Sequence, residues 1–239
     1  MDIRHRNNVQ CFGQGSTTLL FAHGFGCDQS MWRLLTAHFD ARCKIVLYDL
    51  AGCGGADASA YDSYRYATLQ GHVADLFEIV EQCCSGPVVL VGHAIGAMIG
   101  MLATIAAPGR FQGQVMLSAS PCYFNDDTYV GGFNPEDAEQ LLALALEPVE
   151  GSNDLEITRH LARVTFLSDL RAEVPKSRVP ALILQSSEDL LVAKEVGDYL
   201  LAHLPHSTLV AVESDGLCPH MSAPSMCVTA METFLKRLK

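Results

Sequence analysis

Two glycines four apart, Gly92 and Gly96, enclose His93, Ala94 and Ile95 between the apolar run PVVLV (87–91) and the apolar stretch AMIGMLATIAA. A strand, a Gly-x-x-x-Gly pentad and a helix make a sharp turn that thrusts its central side chain outward, the arrangement that presents a nucleophile. The central residue here is Ala94, which has no lone pair to attack with. Upstream, His23-Gly24-Phe25-Gly26 follows another apolar run, and its glycines let the backbone aim an N–H into the same crevice. Downstream, Asp189 stands just past PALILQ (180–185) and Leu217 just past STLVAV (207–212). Acyl-transfer chemistry that uses nucleophile, acid and histidine in that chain order would find its acid in Asp189. It would need an imidazole where Leu217 stands, and the nearest, His220, is three residues further on. Spacing alone leaves a plainer alternative: two glycines beside a helix also serve close helix–strand packing, and a lone Asp at a strand end is more often a turn or cap residue.

These residues need a frame that brings them together. Short apolar runs at 17–23, 43–49, 87–91, 114–119, 180–185 and 207–212 read as strands buried on both faces, and residues 8–13 suggest an antiparallel edge strand. Stretches of helical period lie near 29–38, 69–84, 94–106, 193–204 and 225–238. Strand and helix alternate, so the fold class expected is α/β, a mostly parallel sheet with helices on both faces. Ligands of such sheets sit beyond the carboxyl ends of the strands, where the four loops above lie. One stretch breaks the alternation. Between Gly131 and Asp169 there is no strand, only two candidate helices near 135–147 and 154–167 joined by EPVEGSN. The expected organisation is one domain over 1–239 with a small helical cap at 131–169 set above the sheet.

Composition excludes several classes. Sixteen Lys and Arg against 27 Asp and Glu give a net charge of −11, which repels a nucleic-acid backbone. Apolar residues make up 49% and no apolar run reaches the ~20 residues of a membrane span. Nine cysteines at 11, 27, 43, 53, 83, 84, 122, 218 and 227 are an odd count, and Met1 is followed by Asp2, Arg4, His5 and Arg6 rather than a secretory leader. The expectation is a reduced, cytoplasmic protein whose cysteines mostly pack as small hydrophobes. Neither Cys83-Cys84 nor Cys218-x-His220 has metal-ligand spacing, so no metal and no cofactor is expected. Ala51-Gly52-Cys53-Gly54-Gly55 lacks the GxGxxG spacing of a dinucleotide site.

The words HGFGCDQSMW, YDL, GHAIGAMIGM, SASPCYFND, GGF, SDLR, LILQSSED and GLCPHMSAP, in that order, resemble one family. It is the α/β-hydrolase-fold group that contains the bacterial stress-response regulator RsbQ and the plant karrikin and strigolactone receptors. The resemblance runs over about residues 8–238. It implies the α/β-hydrolase fold and attack on small hydrophobic esters or lactones, with Ala94 at the nucleophile position, Asp189 as the acid and Leu217 at the base position. It also implies the backbone N–H groups of Phe25 and Ile95 as the oxyanion hole. The family pentad is GHSxG and its histidine stands in GHxPHxSxP, so two of three triad members are replaced here. The family cap has four helices, whereas this chain has room for about two.

Alanine cannot attack and leucine can neither take nor return a proton, so negligible triad-type ester hydrolysis is expected. His220 is expected to pack beneath its loop, with a displaced base as the lesser alternative. His93 is expected to point away from the pocket, and Cys27 and Cys218 to lie near it without occupying the elbow. Ala94 and Leu217, beside Phe25, Ile95, Phe133, Phe166 and Leu191, make the pocket more apolar. Asp189 loses the imidazole that offsets its burial and either takes backbone N–H donors or is left short of partners. The departures fit an engineered or redesigned inactive hydrolase. The alternative is a natural non-catalytic receptor that binds a small hydrophobic ligand and, through its cap, a signalling protein partner. A bare scaffold is the third reading.

Overall fold

The computed structural model describes residues 1–146 and 154–238. In chain order the elements are α1 (Ile3–Arg6), β1 (Gln10–Gly13), β2 (Thr18–Ala22), α2 (Arg33–Phe39), β3 (Lys44–Tyr48), α3 (Gln70–Cys83), β4 (Val88–His93), α4 (Ile95–Ala106), β5 (Phe111–Leu117), α5 (Ala138–Ala145), α6 (Leu155–Phe166), β6 (Ala181–Glu188), α7 (Lys194–His203), β7 (Ser207–Asp215), α8 (Pro219–Ser222) and α9 (Pro224–Arg237). The strands form one sheet in the order β1-β3-β2-β4-β5-β6-β7. Only β1 runs antiparallel, at one edge beside β3. The other pairings are parallel, as the strand–helix alternation requires.

The central strands carry apolar side chains toward both faces because each face is covered. Leu20, Val46 and Leu90 pack against α3 and α4 on one side, and Leu19, Ile45 and Val89 pack against Trp32, α2 and α9 on the other. Strand β7 departs from the expectation of full burial: Thr208, Ala211 and Glu213 are exposed. It is the last strand of the sheet, so one edge has no neighbour. Strands β6 and β7 also run past their apolar cores to Glu188 and Asp215, carrying the polar loop residues forward as strand. The stretch expected as one helix at 29–38 is a 3-10 turn, Gln29–Trp32, followed by α2. α1 and α8 are too short to leave a periodic signal. Of the region 131–169, a 3-10 turn at Pro135–Asp137 leads into α5, and α6 begins at an Asp154 cap whose Oδ1 accepts from the Glu156 and Ile157 N–H groups. The expected joining loop, residues 147–153, lies outside the described residues.

Four histidines are buried in this frame: His23 just past β2, His72 in α3, His93 at the end of β4 and His220 in α8. Burial pushes His72 down to about 3 and moves His23 and His220 down as well. A folded-state value below the unfolded 6.5 means that the unfolded chain takes up the proton first on acidification. The contribution of His23, His72 and His220 to stability is therefore full above pH 6.5 and lost as the pH falls below it. Urea denaturation at pH 7 and pH 5 tests this: the His72→Phe variant is expected to lose about 2 kcal/mol less than the parent chain over that interval.

Candidate functional site

The turn between β4 and α4 keeps the strained elbow even though alanine occupies its centre. Ala94 has φ 48 and ψ −116, a backbone region that L side chains avoid. Close packing enforces it. A Cβ on Gly92 would lie 2.5 Å from Ala97 Cα, and one on Gly96 would lie 2.2 Å from the Ala22 carbonyl oxygen, so only glycines let α4 sit against β2 and β4 this tightly. Ala94 N–H donates to the Leu117 carbonyl at 2.9 Å, tying the turn to β5. Replacing Ala94 by glycine relieves the strain, and Ala94→Gly is expected to raise the thermal midpoint, by about 1 kcal/mol of stability, in calorimetry.

The loop after β2 reaches the elbow through His93. The His93 ring fills the space above Gly24, where a Cβ would meet Nδ1 at 2.3 Å. Contrary to expectation, His93 does not point away: it lines the pocket, and its Nε2–H donates to the Leu217 carbonyl at 2.7 Å. Leu217 is thereby held beside the elbow. Gly216 N–H in turn donates to the Glu188 carbonyl at 2.8 Å, placing the loop after β7 against the loop that begins with Asp189. The His93 side chain and a main-chain bond therefore bring the surroundings of Ala94, Leu217 and Asp189 together from three strands. Asp189 Oδ1 accepts from the N–H groups of Leu191 and Val192, both at 3.0 Å. Its Oδ2 is buried with no partner. Of the two expected fates, the structure shows the carboxylate taking backbone N–H donors, although one oxygen is left without a partner.

Just past β3, Asp49 ties together the segments that flank the HGFG loop. This buried carboxylate accepts from Gln29 N–H, Gln29 Nε2, Asn8 Nδ2 and Gly55 N–H at 2.8–3.1 Å. Gly26, at φ 70, makes the turn that leaves Phe25 at the pocket wall. Ile95 is the first residue of α4, where a helix N–H has no intrahelical acceptor.

Above the elbow lies a cavity of about 480 Å³. Phe25, Ala94, Phe133, Phe166, Leu191 and Leu217 line it, all singled out by the sequence, whereas Ile95 is buried and is not among the lining residues. Asn125 Oδ1 accepts from the Gly131 and Gly132 N–H groups, both at 2.9 Å, and this turn carries Phe133 to the cavity. Phe166 from α6 packs edge-on against Phe25, centroids 5.5 Å apart, and against Tyr123 at 5.1 Å. Sequence reasoning missed Ser118, Tyr123, Leu141, Thr165, Leu190 and Val192. Ser118 had a signal that only coordinates reveal, since its φ is 44 and its buried Oγ has no partner. His220 packs beneath the loop as expected, wholly buried and stacked on Trp32 at 4.5 Å, and is not among the lining residues.

A family model described as the Alpha/beta hydrolase family matches residues 19–230. The chain belongs to the α/β-hydrolase family. Karrikin insensitive 2 receptor CA of Petunia hybrida is 34% identical over an alignment of 257 positions, covering 96% of this chain and 95% of the relative. A strigolactone esterase of Arabidopsis thaliana is 32% identical, covering 96% of each. Among solved structures, a hydrolase from Oleispira antarctica superposes with a TM-score of 0.91 at 30% identity, over 98% of this chain and 96% of that one. This hydrolase-family chain thus shares its fold with relatives named both as esterases and as small-molecule receptors. No helix among its described residues is long and apolar enough to cross a membrane.

Proposed function

We propose that this chain binds a small hydrophobic ester- or lactone-like molecule in the cavity above Ala94 and does not turn it over by a triad. The observation that carries this reading is the Ala94 methyl on an intact elbow, facing Leu217 across an apolar cavity of about 480 Å³. In the reading, Phe25 and Ile95 N–H groups hold the ligand's carbonyl oxygen, Phe133, Phe166 and Leu191 enclose its apolar body, and Asp189 is the acid left without its histidine. Hydrogen-bond donors at that oxygen orient a carbonyl, but without a nucleophile and a base there is no path to an acyl intermediate. The retained strain, with the smallest deletion of a nucleophile at its centre, supports origin by alteration of an active hydrolase. The Petunia alignment spans more positions than this chain contributes to it, so segments of that relative have no counterpart here.

A receptor or regulator role is the second reading, favoured by the relatives named as receptors and by one contact. Tyr61 OH and His160 Nδ1 lie 2.6 Å apart, joining α6 to the loop after β3. Ligand occupancy next to Phe166 would then be felt on the outer face of α6, where a protein partner could read it. Thermal denaturation with a hydrophobic lactone tests the binding reading: at roughly ten times Kd the midpoint is expected to rise by about 4 °C. The lactone should be recovered unhydrolysed. A flat midpoint across hydrophobic esters and lactones would sink the pocket assignment.

A further inference from the structure

His93 leads from the elbow to a second group of side chains that the binding reading does not use. The nitrogen that bonds the Leu217 carbonyl lies 3.9 Å from Cys218 Sγ. Cys27, directly after the HGFG turn, and Cys218 are each the largest influence on the other's titration. Both cysteines are half-buried and pack against the same apolar layer of the sheet. Each group comes from a different loop: Cys27 follows β2, His93 ends β4 and Cys218 follows β7. His220 approaches from α8 with its ring centroid 5.3 Å from that of His93, while Asp189 acts on His93, and Asp28 and Cys53 act on Cys27.

We propose that Cys218, paired with His93, is a peroxide-reactive thiolate, and that Cys27 resolves its oxidised form to a reversible Cys27–Cys218 disulfide. The electrostatics agree with the geometry. Cys27, helped by His93 and opposed by burial, pushes Cys218 down to about 4. Burial opposes a charge on His93, but the Cys218 and Leu217 contacts outweigh it and move the imidazole up. Cys27 moves up because of Cys218 and because it is buried, which leaves it as the protonated resolving partner.

In the first step the Cys218 thiolate attacks one oxygen of hydrogen peroxide and the O–O bond breaks. Sulfur is oxidised to sulfenic acid and the departing hydroxide takes a proton to become water. In the second step Cys27 gives up its proton and attacks the Cys218 sulfur, expelling the sulfenic oxygen as a second water. Two thiols and one peroxide yield one disulfide and two waters. The disulfide would tie the loop carrying Phe25 to the loop carrying Leu217, fixing two walls of the cavity.

Peroxide treatment of the intact chain, followed by alkylation and peptide mass mapping, tests the proposal independently of any ligand. A Cys27–Cys218 cross-linked peptide reversible by dithiothreitol is expected, with a formation rate at pH 6 within about twofold of that at pH 7.5 because the nucleophile is already a thiolate. In Cys27→Ser, Cys218 should stop at a sulfenic acid that dimedone traps; in Cys218→Ser, Cys27 should stay reduced. The proposal is overturned if the exposed Cys11 oxidises while Cys218 stays reduced, if Cys27 oxidises equally in Cys218→Ser, or if the rate falls about tenfold per pH unit on acidification. Failure of the lactone to shift the thermal midpoint would leave this proposal standing, since the thiol group is assayed without ligand.

Discussion

The double variant Ala94→Ser/Leu217→His is expected to hydrolyse a p-nitrophenyl ester with kcat/KM at least ~10⁴-fold above the chain as it stands, because the members of a triad act as a unit. Neither single variant should recover more than a small part of that gain. A serine at 94 without a base keeps its proton, and an imidazole at 217 without a nucleophile has nothing to activate. The geometry favours rescue on two counts. The elbow already holds φ 48, so a serine Oγ would be presented toward the cavity without rebuilding the backbone. Asp189 already has one oxygen committed to the Leu191 and Val192 N–H groups and the other buried and unpartnered, the acceptor that an imidazole N–H at 217 would satisfy. Steady-state rates for the four chains decide it. Equal activity in parent and double variant, above a heat-denatured control, would show that Ala94 and Leu217 are not the positions that matter.

Gly96→Ala is expected to cost about 3 kcal/mol or more, while Gly100→Ala, one turn further along the same helix, should be neutral or stabilising by up to about 1 kcal/mol. At Gly96 the added Cβ would sit 2.2 Å from the Ala22 carbonyl oxygen and 2.5 Å from that of His23. Both obstacles are backbone of β2 and of the loop that carries Phe25, so relief requires α4 to move away from the sheet. At Gly100 the nearest atom is the far end of the Leu90 side chain at 3.6 Å, an ordinary contact, and alanine simply favours the helix. Urea denaturation of the two variants distinguishes packing of the elbow glycine from general glycine content. Equal effects at both positions would mean that α4 does not depend on close approach to β2.

The order of elements and their class were legible in the sequence because apolar runs of strand length alternate with helical period, and that pattern has few solutions in three dimensions. The six apolar runs and the edge segment 8–13 all became strands, and the pentad at 92–96 fell at the strand–helix junction. The placement of Asp189 and Leu217 was legible through motif order, since each follows a strand end. The aromatic and aliphatic residues Phe25, Phe133, Phe166 and Leu191 were legible because they neighbour those motifs or lie in matched cap segments.

Other features depended on contacts between residues far apart in sequence. His93 looked turned away because alternation along β4 fixes only the face of a strand, whereas the opening at Gly24 and the Leu217 carbonyl decide where its ring goes. Exposure along β7 followed from its rank in the sheet, which no local pattern carries. Ser118 and Thr165 entered the cavity wall through the left-handed φ of one and the docking of α6 for the other. The Cys27, His93 and Cys218 group is assembled from three loops separated by most of the chain, so no spacing within the sequence announces it. The sequence by itself determined the strand–helix frame, the loops that line the cavity and the residue types, alanine and leucine, that stand at positions 94 and 217. Only the tertiary structure decided that the elbow stays strained, that one Asp189 oxygen is left unpartnered and that two thiols meet beside an imidazole. Local patterns record which residues must be buried, whereas the partners of buried polar groups are set by which distant segments the sheet brings side by side.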